Sequence, residues 1–270
     1  FDAGGTNATA NAITLDNSSN DFQTLVISQG GDVVVEDSNA LALQGTASGT
    51  LDVTAGGVLS LSGALSSGGT TNLTSTATDG GAVTFNQNTQ TLTSSAGALT
   101  ITADDMTLDG TIAASGQSVT LVSNIAANAI DVGSALTTTA ATLELSNAEL
   151  QTIAAADLTI GSGAAGAITV SDAIAPGDTA GSDVTVLHLV TGSTITGAGE
   201  IVETGLALTA GGAINLTSVT SDVTDLAVSA AGQSVTFTDA SGVDIDTVAG
   251  VAGVTAGTLN LTAAGVISDT

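Results

Sequence analysis

Thr50-Leu51-Asp52-Val53-Thr54 and Ala98-Leu99-Thr100-Ile101-Thr102 share one pattern: a variable residue, an aliphatic, a small or polar residue, an aliphatic, then threonine. It returns as Thr142-Leu143-Glu144-Leu145-Ser146, Ala167-Ile168-Thr169-Val170-Ser171 and Ala213-Ile214-Asn215-Leu216-Thr217, and again as Ser234-Val235-Thr236-Phe237-Thr238 and Thr258-Leu259-Asn260-Leu261-Thr262. Alternation with a period of two over a short window specifies a half-buried strand, because successive side chains leave a strand on opposite faces. Leu51 and Val53 are therefore expected to face inward and Asp52 to face solvent.

Turn clusters separate these strands: Ala55-Gly56-Gly57, Ser67-Gly68-Gly69, Asp79-Gly80-Gly81 and Ala210-Gly211-Gly212. Glycine at such corners is expected to supply the positive φ that tight turns need. Strands begin roughly 8–12 residues apart, the spacing of a many-stranded β architecture. The better matches recur at about 20–24 residues, from Leu99 to Val119, Val119 to Leu143 and Ile214 to Val235, a period that marks stacked repeats. Each period reads as one coil of two or three short strands. A single coil cannot offset its own ordering entropy, so stability must come from stacking neighbours on a shared core. The expected architecture is an all-β parallel β-helix of about 20–24 residues per coil, one solenoid over 1–270 taken as a segment of a longer chain. Its rod would be roughly 60 Å long at ~4.8 Å per rung.

A sandwich or barrel is the rival. Those folds close with hairpins marked by Asn-Gly or Asp-Gly; Asp79-Gly80 and Asp109-Gly110 occur, but Gly-Gly and Ala-Gly corners are commoner. Aromatics make up only 1% of the chain, too few for the thicker core of a sandwich. The one break in the rhythm is 173–183, through the only proline, Pro176, and it reads as an excursion loop leaving the rod.

Composition bounds function. The 270 residues hold 26 Asp and Glu, one His and no Lys or Arg, a formal net charge of −26. A mean hydropathy of +0.46 separates the chain from a disordered acidic tail. Nucleic-acid binding and adsorption to anionic lipid both draw on Lys and Arg, so neither is expected. No run of about 18 apolar residues exists to insert into a bilayer. Without Cys there is no disulfide framework and no thiolate metal site. The start, Phe1-Asp2-Ala3-Gly4-Gly5, has neither the basic region nor the apolar run of a secretory leader, and a first residue other than Met points to a processed chain or an excerpt.

Several motifs look chemical. Gly161-Ser162-Gly163-Ala164-Ala165-Gly166 is a literal GxGxxG, but a dinucleotide site needs a helix next and the pattern continues as a strand, so it reads as a corner. His188 has no second His or Cys to share a metal, and no nucleophile elbow is present for a Ser-His-Asp triad. Asp244-Ile245-Asp246 places two carboxylates on one strand face and Asp104-Asp105 forms a corner pair. Calcium needs six to eight converging oxygens, so only weak adventitious binding is expected and the remaining acids read as solvated charges. Asn72, Asn215 and Asn260 each begin a formal glycosylation sequon, which a strand tolerates only where Asn points outward. Pairs such as Thr91-Leu92-Thr93, Thr100-Ile101-Thr102 and Thr194-Ile195-Thr196 resemble the ladders of ice-binding solenoids, although here they are sporadic. No catalytic, cofactor-binding or metal residues are assigned, and no cofactor is expected.

The stretch Leu145-Ser146-Asn147-Ala148-Glu149-Leu150-Gln151-Thr152-Ile153, with Asp157-Leu158-Thr159-Ile160-Gly161-Ser162 and Gly166-Ala167-Ile168-Thr169-Val170, resembles the repeats of giant filamentous-haemagglutinin-like proteins, which Gram-negative bacteria export by two-partner secretion. Leu187-His188-Leu189-Val190-Thr191-Gly192-Ser193-Thr194-Ile195 and Leu206-Ala207-Leu208-Thr209-Ala210-Gly211-Gly212-Ala213-Ile214 fit the same likeness, which is clearest over about residues 140–220. The resemblance implies a right-handed helix and a role in adhesion or as an extended fibre on the cell surface. It also implies partners among cell surfaces, extracellular polymers or further copies of the chain. Contact with the outer-membrane transporter is implied for the full-length chain only, since the family's secretion domain is not recognisable here. The complete lack of Lys and Arg departs from the family. Two other readings are a self-assembling extracellular filament or sheath subunit and a polysaccharide-degrading β-helix enzyme; the latter would lack the Arg, Lys, Trp and Tyr such enzymes use, leaving only a carboxylate pair.

Overall fold

In the computed structural model, which describes residues 10–78, 85–135, 141–177 and 183–270, nearly every strand joins one parallel sheet. The protein is a parallel β-helix. One ladder carries Ile13, Val33, Leu51, Thr71, Leu99, Val119, Leu158, Leu187, Leu206, Leu226 and Ile245 as successive partners. Its ten steps give a rise of about 50 Å at ~4.8 Å each. A second ladder runs Ile130, Ile168, Ile195, Ile214, Val235 and Leu259.

The alternation in sequence is the alternation in space. Leu51 and Val53 are buried and Asp52 is exposed, as are Ile214, Leu216 and Asn215 respectively. The inward aliphatics form one continuous core from Ile13 to Val243, filled by Leu, Val and Ile with Phe85 and Phe237 among the largest buried side chains. In the last coil Leu259 keeps register with Val235 but is exposed, as are Val266 and Ile267.

Along the first ladder most steps take 18–20 residues, close to the expected period. Leu99 does stack on Val119 and Ile214 on Val235. Val119, however, pairs with Leu158 and not with Leu143. The segment between them folds back. Thr142–Leu145 pairs with Ala129–Val132, whose other edge takes Ile168–Val170. The later strand therefore sits beneath the earlier one, and a helix, Asn147–Leu150, returns the chain to the rod at Ile153–Ser162. Quintet matching treats Leu143 as an ordinary rung because the alternation is preserved; only the pairing partner changes.

The 173–183 excursion begins against the rod rather than away from it. Ile174 is buried and bridges Ile201, and Ala175 N donates to Asn147 Oδ1 at 2.9 Å. Residues 178–182 of that loop, the Asp79-Gly80-Gly81 corner and the Phe1–Gly5 start lie outside the described residues.

The corners follow a rule that differs from the expected one. The described Gly-Gly corners have no positive φ. A Cβ at Gly68 would lie 2.1 Å from Ser48 O and one at Gly56 2.3 Å from Ser38 O, so glycine is needed because corner backbones stack directly on those of the coil below. Hydroxyl and carboxylate side chains at strand ends make the turns. Ser67, Ser75 and Thr191 each accept from the backbone N–H two residues on. Asp37 and Asp239 do the same while also accepting from Phe22 N and Val223 N in the coil below, at 2.6 and 2.9 Å. These are Asx and Ser/Thr turns, and they recur along the rod.

Among the described residues a two-stranded hairpin stands apart from the parallel sheet. Thr247–Val248 and Val251–Ala252 form an antiparallel hairpin through Ala249 and Gly250, both at positive φ, the turn geometry that matches strand twist. Val248 packs on outward-facing Ala207 and Ala227 and buries them.

Candidate functional site

The motifs that looked chemical lie in strands and corners of the rod where they are described. Gly161 to Gly166 joins two strands, with Thr191 Oγ1 donating to Ala165 O at 3.1 Å and to Gly166 O, so the loop's carbonyls face the next coil. His188 stands between Thr159 and Ala207 in the ladder with Nε2 2.9 Å from Thr209 Oγ1; burial depresses its pKa, opposed by Asp157. Asn72, Asn215 and Asn260 all occupy outward positions. The Thr-x-Thr pairs also face outward, and Thr100, Thr120 and Thr159 stack over three coils.

The reading of the acids as solvated charges is corrected in several places. Asp104 and Asp105 are buried, together with Glu144 and Glu149 of the fold-back. Glu149 and Asp105 accept from backbone donors and Asp104 from a side-chain amide. Glu149 closes a capping box, accepting from Ser146 N and Oγ at 2.9 and 2.8 Å, and its other oxygen accepts from Leu108 N at 3.0 Å. Asp105 Oδ1 accepts from Met106 N at 2.9 Å, and Asp104 Oδ1 accepts from Asn128 Nδ2 at 3.3 Å. Burial is the main cause that pushes the Asp105 carboxyl up to about 6, with the charges of Glu144 and Glu149 adding to it against two backbone hydrogen bonds.

Asp244 and Asp246 gain a neighbour that sequence spacing did not show: Asp225 is the ladder partner of Asp244. Burial and then the charges of Asp246 and Asp244 raise its pKa. Asp244 Oδ2 accepts from Thr270 Oγ1 at 2.9 Å. Among the described residues no group of three or more His, Asp or Glu is arranged to hold a metal ion. Nor, among them, is any helix long and apolar enough to cross a membrane.

The residue most out of place is Glu203. Its strand, Val202–Ala210, points Val202 and Thr204 outward and Glu203 inward, where register with Val223 puts it on the core side. Glu203 is 8% exposed, and its Oε1 has no hydrogen-bond partner. Burial, with Asp183 adding to it, pushes its carboxyl up to about 8 against a hydrogen bond from Thr204 N. Above it opens a cleft of about 300 Å³ bordered by Pro176, Gly177, Asp183, Val184, Val202, Thr204, Asp222 and Thr224. Sequence reading passed over Glu203 because Val202-Glu203-Thr204 breaks no alternation. Alternation counted back from Leu206 and Leu208 points Glu203 outward; the phase changes at Gly205, so Glu203 turns inward where the local pattern gives no signal.

A family described as repeats of unknown function (DUF5649) matches residues 2–29 and 30–95, less than half of the chain. The second matched stretch opens at the end of the strand Thr24–Gly30 and closes just after Leu92–Ser94, so it spans whole coils. No curated protein and no solved structure matches the chain.

Proposed function

We propose that this chain is a non-catalytic structural segment of a bacterial cell-surface adhesin, a stiff stalk or fibre of the outer surface of a Gram-negative cell. The observation that carries the reading is the unbroken ladder from Ile13 to Ile245 over a single continuous core. Bending such a rod strains stacked hydrogen bonds and packed aliphatics together, so each coil stiffens its neighbours. The polar outward faces and the charge of −26 suit a surface exposed to water. The likeness of residues 140–220 to two-partner-secreted repeats supports the location and an export route through an outer-membrane transporter for the full-length protein.

A self-assembling extracellular filament or sheath subunit is the second reading of the same stacked coils. Negative-stain electron microscopy of the purified chain separates the two. Isolated rods about 50 Å long support the stalk, and end-to-end strings support the filament. Reducing sugar released from a panel of surface polysaccharides would overturn the non-catalytic assignment.

A further inference from the structure

We propose that the cleft above Glu203 is a receptor for a cationic group on a short alkyl stem, an alkylammonium of the kind that ends a lysine side chain. The floor residue is buried by more than nine-tenths and keeps a carboxyl oxygen without a donor, a placement that ordinarily destabilises a fold. No Lys or Arg anywhere in the chain can supply that donor. Two further carboxylates, Asp183 and Asp222, border the same opening. The three are not arranged to hold a metal ion, whose oxygens must converge to 2.3–2.6 Å for calcium. An ammonium carries three donors and reaches its acceptors at hydrogen-bond distance, so it tolerates the wider spacing. The apolar part of the wall matches the stem: Pro176 and Val184 line the cleft, and Val202 is 40% exposed at its edge. A volume of about 300 Å³ holds one side chain and excludes a folded partner.

Proton linkage gives the assignment a signature that surface attraction to a polyanion lacks. The empty cleft holds Glu203 uncharged at neutral pH, and an arriving ammonium stabilises the ionised form and expels its proton. The test is calorimetric titration of the intact chain with Nα-acetyl-lysine methylamide in about 0.15 M NaCl, which screens exposed charge beyond roughly 8 Å. One site is expected, with affinity rising up to about tenfold per pH unit below pH 8 and about one proton released, read from buffers of different ionisation heat. Glu203→Gln should abolish the proton release and weaken binding at least tenfold at pH 8.5, while Asp52→Asn, an exposed acid on the first ladder, should change neither. Glu203→Gln removes only a buried ionisable proton, and its melting curve establishes that it folds. Equal binding by the Gln variant, equal binding of the uncharged Nα-acetyl-norleucine methylamide, or no saturable site would each overturn the proposal.

Discussion

At the scale of single residues, the rod tolerates few departures from its inward aliphatics, and each has an identifiable consequence. Thr71 stands between Leu51 and Leu99 in the main ladder, 0% exposed, with Oγ1 lacking any partner. A buried hydroxyl without a partner destabilises by about 1 kcal/mol or more, and valine has the same shape without it. Thr71→Val should therefore raise Tm by roughly 2–4 °C in a thermal melt; an unchanged or lower Tm would mean that the hydroxyl finds a partner in solution. The sequence makes Leu51, Val53, Leu99 and Ile101 legible as core because alternation is a local property. It leaves the burial of Glu144 illegible: Glu144 occupies the outward phase of its quintet, and the fold-back carries it to Asp105, a non-local arrangement. The burial of the corner pair Asp104 and Asp105 is illegible for the same reason. Nothing local distinguishes a solvated corner acid from one satisfied by donors from another coil.

At the scale of the element, the corner is the unit that repeats. Its demands are a small residue where backbones touch and a side-chain acceptor where the strand ends. Gly68 meets the first and Ser67 the second. Gly68→Ala should destabilise by about 1–3 kcal/mol, because the new methyl meets the fixed carbonyl of Ser48. Gly163→Ala, at a corner glycine with open space around its Cβ and no positive φ, should lie within about 0.5 kcal/mol of the parent by chemical denaturation. Equal effects at the two sites would refute close stacking as the reason for the corner glycines. Turn composition located these corners correctly; the reason for glycine there is set by the coil below, which composition does not describe. The hairpin at Thr247–Ala252 was likewise invisible, since neither Ala249 nor the short strands around it carry a strong turn signal.

At the scale of the whole molecule, electrostatics acts in one direction. Every charge that forms at neutral pH is negative, apart from any on the single histidine. Asp105 and Glu203 carry pKa values raised to about 6 and about 8, from 3.8 and 4.5. Their contribution to stability is complete below about pH 4 and is lost as pH rises, first through about 6 and then through about 8, by roughly 3–5 kcal/mol for each full titration. Tm should therefore fall between pH 5 and pH 9, and Glu203→Gln should remove the later part of the fall. Added NaCl should raise Tm most below about 0.1 M by screening the exposed acids, and should leave the buried steps nearly intact. A Tm that climbs with pH across this range, or that ignores salt, would contradict the picture.

The inverted pair of rungs has a bearing on how the rod can be wound. Ala129–Val132 rests on Thr142–Leu145, which the chain reaches only afterwards. A polypeptide emerging N-terminus first and coiling as it appears would have to hold the earlier strand aside until the later one slid beneath it. Winding in strict sequence order therefore does not give this pair of rungs, although the neighbouring ladder stacks Leu158 directly on Val119.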